Sequence, residues 1–181
     1  RAYFREVSRD TVDVVTEFTP PPDGKWMTAY TAPRLRRYYR PWDAVYNTDG
    51  YKNDTELEQR EHELLKDALA YVEADIPDDV DFDMNDDGFF DNVIFMVQGW
   101  PDTWSDLLWP HKWTLSSYLN LSTGDFLSQA PTINGVNAYE YTFELLGNEA
   151  SYKYAVNVAI LSHETFHLIS APDLYHYYDY D

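Results

Sequence analysis

Two imidazoles and a carboxylate occur at a spacing suited to metal chemistry: His163, Glu164 and His167, in the stretch His163-Glu164-Thr165-Phe166-His167. On a helix, residues four apart lie one turn above each other on the same face. Both imidazoles can then reach a single Zn²⁺ at about 2.0–2.1 Å. Glu164 is expected to point to the side, poorly placed as a third ligand but well placed as a general base. Zn²⁺ lowers the pKa of a water it holds to about 7. Metal-activated water would attack a polarised peptide carbonyl, and Glu164 would pass the proton to the leaving amine. Two His and a Glu late in an otherwise apolar helix gain nothing from burial unless they are paired. A catalytic zinc needs a third protein ligand. Asp173 follows directly after the helix-ending Pro172 and can turn back to the metal, with His176 as the alternative.

A second oxygen-rich pattern precedes it, in Asp83-Met84-Asn85-Asp86-Asp87-Gly88-Phe89-Phe90-Asp91. Alternate oxygen side chains on a tight loop, with Gly at the sharp bend, describe the first half of a Ca²⁺ loop. Asp83, Asn85, Asp87 and Asp91 are the expected side-chain ligands, and Phe89 contributes its backbone carbonyl. The twelfth position is Ile94 rather than Glu, so the loop is not an EF-hand. The clustered carboxylates repel one another, and a structural Ca²⁺ would relieve that. In Trp109-Pro110-His111-Lys112-Trp113 the aromatic and Pro residues suit packing, and His111 is a metal ligand by type alone.

These groups need elements to hold them. Residues 1–18 alternate in polarity through Val7, Val12, Val14 and Phe18, which predicts two short strands or a hairpin. Pro20-Pro21-Pro22-Asp23-Gly24 is a turn cluster, and residues 25–52, rich in Tyr and Arg, predict a long ordered loop. Thr55 with Glu58 has capping-box spacing. Leu57, Leu64, Leu65, Ala68, Leu69 and Val72 follow at helical spacing, a helix of about five turns closed before Pro77. Val93–Val97 is apolar throughout and predicts a central strand. Residues 111–118 and 136–143 alternate weakly and predict further strands. Ser151–Ile169 predicts the helix that carries the two His, stopping near Ala171 because Pro172 disfavours helix before it.

At 181 residues the chain is about one domain, long enough to bury a core without disulfides. It has no Cys, which excludes a thiol nucleophile and Cys-based metal sites. Its 32 acidic and 13 basic residues leave a net charge of −19, which argues against nucleic acid or an anionic membrane surface as partner. No apolar run approaches the ~20 residues of a membrane span. Starting at Arg1 without a signal peptide, the chain reads as a mature or excised piece.

His163-Glu164-Thr165-Phe166-His167 followed by Ala171-Pro172-Asp173-Leu174-Tyr175 resembles the immune inhibitor A-type secreted metallopeptidases, in the metzincin-like part of the zincins. Tyr3-Phe4-Arg5-Glu6-Val7-Ser8 looks like that family's N-terminal strand, the Asp83–Asp91 loop like its Asp-rich segment, and Trp109–Trp113 like its W-x-H stretch. The resemblance spans most of the chain in the right order. It implies His163, His167 and Asp173 as zinc ligands and Glu164 as general base. It further implies a secreted, extracellular zinc endopeptidase acting on protein or peptide, with structural Ca²⁺. The implied fold is α+β and zincin-like: a twisted mixed sheet backed by two long helices, the second carrying HExxH. Residues 1–181 would be the catalytic domain, chiefly its N-terminal, upper part. Two departures stand out. Ser170 replaces the usual Gly after the second His, and a non-Gly residue in a left-handed turn costs roughly 1–2 kcal/mol. Met27, Met84 and Met96 all precede the zinc motif, so the family's Met-turn is not in this sequence. The transition-state Tyr is open among Tyr175, Tyr177, Tyr178 and Tyr180. The rival reading is a catalytically silent, Ca²⁺-stabilised extracellular adhesion or carbohydrate-binding module, suggested by the 16 Tyr and 6 Trp.

Overall fold

The computed structural model describes residues 2–25, 28–115, 131–147, 158–168 and 171–172. The chain is mixed α+β, with three α-helices and a small mixed sheet among these residues. No helix among them is long and apolar enough to cross a membrane.

The N-terminal expectation is overturned. Helix α1 spans Ala2–Val7 where a strand was predicted, and residues 12–18 form no strand. Alternating polarity makes a strand only where a partner supplies ladder hydrogen bonds, and Val15 and Phe18 instead stay largely exposed. Phe4 on α1 meets Phe166, with ring centroids 5.6 Å apart, so this helix rests on the element that carries the two His.

Residues 28–53 form the predicted loop, tightened by a 3-10 turn at Arg36–Tyr39. Tyr39 and Tyr51 are buried in the core, while Tyr46 stays exposed. Helix α2 spans Asp54–Val72. Its cap lies two residues before the predicted one: Asn53 Oδ1 accepts from Glu56 N at 2.9 Å, and Glu56 Oε2 accepts from Lys52 N at 3.0 Å. Both pairs have the right spacing, but Asn53 holds the extended backbone (φ −160°, ψ 170°) that an N-cap requires. Leu65, Leu69 and Val72 form its buried stripe, interrupted by Glu61 and His62.

The main sheet has strand order β1-β5-β2, with β1 (Val93–Gln98) parallel and β2 (His111–Thr114) antiparallel to β5 (Glu140–Leu146). Predicted as central, β1 is instead an edge strand among the described residues, with Val93–Val97 only half-buried. The centre belongs to β5, whose residues 141–145 are all buried. A small hairpin precedes it, β3 (Thr132–Ile133) with β4 (Val136–Asn137), turned through Asn134 (φ 52°) and Gly135 (φ 85°). That Asn-Gly pair is the preferred filling of such a turn, while the strand predicted over 136–143 is broken at Ala138 and Tyr139, between β4 and β5. Tyr141, Phe143 and Leu145 join Leu65, Leu69, Leu107 and Leu115 in one core. Each such side chain contributes roughly 1.5–3 kcal/mol by leaving water.

Helix α3 spans Val158–Leu168 and packs against β2 and β5. Ala171 N donates to Phe166 O at 3.1 Å, closing the helix before Pro172 as expected. Residues 151–157 and 169 of the predicted helix lie outside the described residues.

Candidate metal centre

The α3 backbone brings the His163 and His167 rings together, centroids 4.7 Å apart and planes at 84°. Their Nε2 atoms are 3.2 Å apart. His167 Nδ1 lies 2.8 Å from the Ala171 carbonyl oxygen, which can only accept. Nδ1 therefore carries the proton, and Nε2 keeps its lone pair toward His163. Two nitrogens at 2.0–2.1 Å from a tetrahedral Zn²⁺ are about 3.3 Å apart. The observed separation fits that figure, and the donor chemistry suits the same ion.

Glu164 is buried, and a carboxylate oxygen lies with the two imidazole nitrogens in a group spanning no more than 4.8 Å. This modifies the sideways placement expected from helix geometry: the long side chain brings the carboxylate back beside the imidazoles. Among the described residues this is the one group of three His, Asp or Glu ligand atoms converging so closely. Asp173, His176 and Ser170 lie outside the described residues, as do the four candidate Tyr.

The Asp-rich loop is folded on itself. Asp83 accepts from Asp87 N at 2.9 Å and Gly88 N at 2.7 Å, while Asp87 accepts from Phe89 N and from the Asn85 side-chain amide, each at 2.9 Å. Asp86 (φ 60°) and Gly88 (φ 86°) make the bend. Asp91 N donates to Phe82 O, and Phe90 pairs with Asn137, tying the loop to the hairpin ahead of β5. The carboxylates of Asp83 and Asp87 thus serve backbone and amide donors, and the loop's carboxylates do not converge like the α3 group.

Two arrangements were not foreseen from sequence. Glu144 on β5 is fully buried, and neither carboxylate oxygen has a hydrogen-bond partner among the described residues. Burial, followed by the negative charge of Glu164, pushes its pKa up to about 7. The available signal was a Glu inside an otherwise strand-like stretch, Tyr141-Thr142-Phe143-Glu144-Leu145. The other is a buried chain across the sheet: Tyr141 Oη donates to Glu61 Oε1 at 2.7 Å, and His111 Nε2 lies 2.8 Å from the same oxygen. His111 Nδ1 faces the Trp109 carbonyl at 2.6 Å, and the ring stacks on Phe143. Both His111 nitrogens thus face acceptors, which favours the imidazolium. Burial pulls its pKa down, but the Glu61 charge and hydrogen bond, the Trp109 carbonyl and Glu164 leave it raised. His111 is engaged with Glu61, not gathered with His163 and His167.

Beside the cluster opens a cleft of about 320 Å³. Pro101, Trp104, Trp109 and Pro110 form one side, and Ala159, Ile160, His163 and Glu164 on α3 form the other.

No protein-family model, curated protein or solved structure matches the chain.

Proposed function

We propose that this chain is the catalytic part of a secreted zinc-dependent endopeptidase of immune inhibitor A type, with a zincin-like arrangement around α3. The observation that carries the reading is the meeting of His163 Nε2 and His167 Nε2 at 3.2 Å beside the buried Glu164. His163 and His167 would hold Zn²⁺, with Asp173 as third ligand. The ion supplies a Lewis acid for the peptide carbonyl and makes hydroxide accessible near neutral pH. The Ala171 carbonyl fixes the His167 tautomer, so that Nε2 would be free to hold the ion. Glu164 takes a proton from the attacking water as the new C–O bond forms. It returns that proton to the amine nitrogen as the C–N bond breaks. In this reading Asp83, Asn85, Asp87, the Phe89 carbonyl and Asp91 would hold a structural Ca²⁺ once the carboxylates turned from their local donors toward it.

The test is Glu164→Gln in zinc-loaded protein. Casein cleavage is expected to fall by roughly 10²–10⁴-fold with zinc content unchanged, and EDTA should abolish wild-type cleavage. Retained cleavage in the variant refutes the role given to Glu164. Exposed aromatic rings at Trp42, Tyr46, Trp104 and Trp113 favour a second reading, the silent adhesion or carbohydrate-binding module. Stoichiometric Ca²⁺ without zinc, together with no proteolysis, would decide for that module.

A further inference from the structure

We infer that the Arg-rich loop ahead of α2 forms a second binding site, a cleft that takes a carboxylate side chain of an acidic peptide, with Arg34 as its anchor. It shares no lining residue with the cleft beside the metal centre and does not rest on the peptidase reading. In a chain of 13 basic and 32 acidic residues, Arg34, Arg36, Arg37 and Arg40 fall within seven positions. Cations placed together repel one another unless each meets an anion or water. Arg36 and Arg40 both pair with Asp102, at 3.2 and 3.1 Å, and Arg37 Nε pairs with Asp49 Oδ2 at 2.6 Å. Arg60, reaching over from α2, pairs with Glu56 at 3.4 Å. Arg34 is the one of these five with no carboxylate partner among the described residues. Its guanidinium lies over the Tyr38 ring, 5.2 Å from the centroid.

The cleft measures about 420 Å³, with Pro33, Leu35 and Tyr38 as its apolar part and Arg34, Arg37 and Asp49 as its charged part. Two guanidiniums against one carboxylate leave a single net positive charge. That balance suits one carboxylate, whereas a phosphate dianion or a nucleic-acid backbone would stay undercompensated beside Asp49. A guanidinium binds a carboxylate through two parallel hydrogen bonds, and the Tyr38 face holds this one in place. The apolar part favours a residue within a peptide over a free small acid. Leu35 is 66% exposed, so residues flanking the carboxylate have apolar area to cover. Asp49, which gives one oxygen to Arg37, is also an acceptor for a peptide N–H. The site is built before a ligand arrives. Arg60 Nη1 donates to the Tyr38 and Asp49 carbonyls at 2.6 and 2.7 Å, and its guanidinium carbon lies 4.0 Å from the Tyr38 centroid. Asn47 Nδ2 donates to the Arg37 and Pro41 carbonyls at 2.9 and 2.7 Å, and Tyr39 is buried in the core. A site fixed in advance costs little ordering on binding.

The experiment titrates the full chain, stripped of metal on a chelating resin so that no carboxylate binds at α3. The probes are the blocked peptide Ac-Gly-Ala-Glu-Ala-Gly-NH2, its Gln and phosphoserine counterparts, and acetate. Binding is followed by the Arg side-chain Nε–Hε signals in nuclear magnetic resonance. The Glu peptide should bind at least roughly tenfold more tightly than the Gln peptide. It should move the Arg34 signal, and its advantage should vanish in Arg34→Gln. Arg34 is exposed and outside the ion pairs described, so the variant should fold, and circular dichroism checks that. The wild-type Arg34 signal tests the site even if the variant does not fold. Equal affinity for the Glu and Gln peptides, no binding by either, an unmoved Arg34 signal, or an advantage kept in Arg34→Gln overturns the inference. Acetate binding as tightly as the Glu peptide overturns the peptide assignment, and tighter binding of the phosphoserine peptide overturns the carboxylate assignment.

Discussion

Replacing Glu144 by Gln isolates the energetic consequence of a carboxyl group buried in the central strand without hydrogen-bond partners among the described residues. Its folded pKa is raised from 4.5 to about 7, chiefly by burial and then by Glu164. A group raised on folding keeps its full contribution below the unfolded value and loses it as pH rises through the folded one. Ionising Glu144 in the folded chain should therefore cost stability progressively above pH 4.5, levelling off past pH 7. Linkage over that interval gives a loss of about 2.5 kcal/mol between pH 5 and pH 8. Gln at this position cannot ionise, and its unsatisfied amide adds a roughly pH-independent cost of about 1–3 kcal/mol. The assay is urea unfolding of wild type and Glu144→Gln at pH 5, 6, 7 and 8, in EDTA so that metal binding does not enter. The difference in unfolding free energy should shift by about 2.5 kcal/mol in favour of the variant from pH 5 to pH 8. An equal difference at both ends would refute the reasoning and mean that Glu144 finds compensation.

Further outcomes follow from the cap, the metal centre and the Asp-rich loop. Asn53→Ala should lower unfolding free energy by about 1 kcal/mol in urea, whereas Thr55→Ala, away from the cap hydrogen bond, should change it by less than about half of that. His167→Ala should remove stoichiometric zinc measured by plasma emission, while circular dichroism stays unchanged. Millimolar Ca²⁺ should raise the melting temperature in wild type but not in Asp83→Ala, because Asp83 would be both a ligand and the acceptor that holds Asp87 N and Gly88 N. A Ca²⁺ response of equal size in both proteins would remove that loop as the cation site.

Local chemistry was legible where it depends on residues close in sequence. The spacing of His163 and His167 sufficed to predict two imidazoles on one helix face, because helical geometry repeats within a turn. The Asn134-Gly135 turn, although local, was not read from the sequence, and the strand over 136–143 was read as continuous across its break at 138–139. The cap of α2 was displaced by two residues because two pairs share one spacing and only the backbone at Asn53 separates them. Alternation over residues 1–18 misled for a different reason: polarity does not reveal whether a partner strand exists.

The sequence by itself determined the apolar stripe of α2, the strand over Val93–Val97 and the two imidazoles and carboxylate gathered on α3, all set by contacts one turn or one strand apart. Tertiary structure decided which strand is central: β5, and not the apolar Val93–Val97 run, takes the buried middle of the sheet among the described residues. It also decided that His111 joins Glu61, 50 residues away, and that Trp104 and Trp109 face His163 and Glu164 across a cleft. Such meetings depend on the order in which strands pair. Strand order is set by the summed burial of the whole core, and no single stretch of chain carries that information.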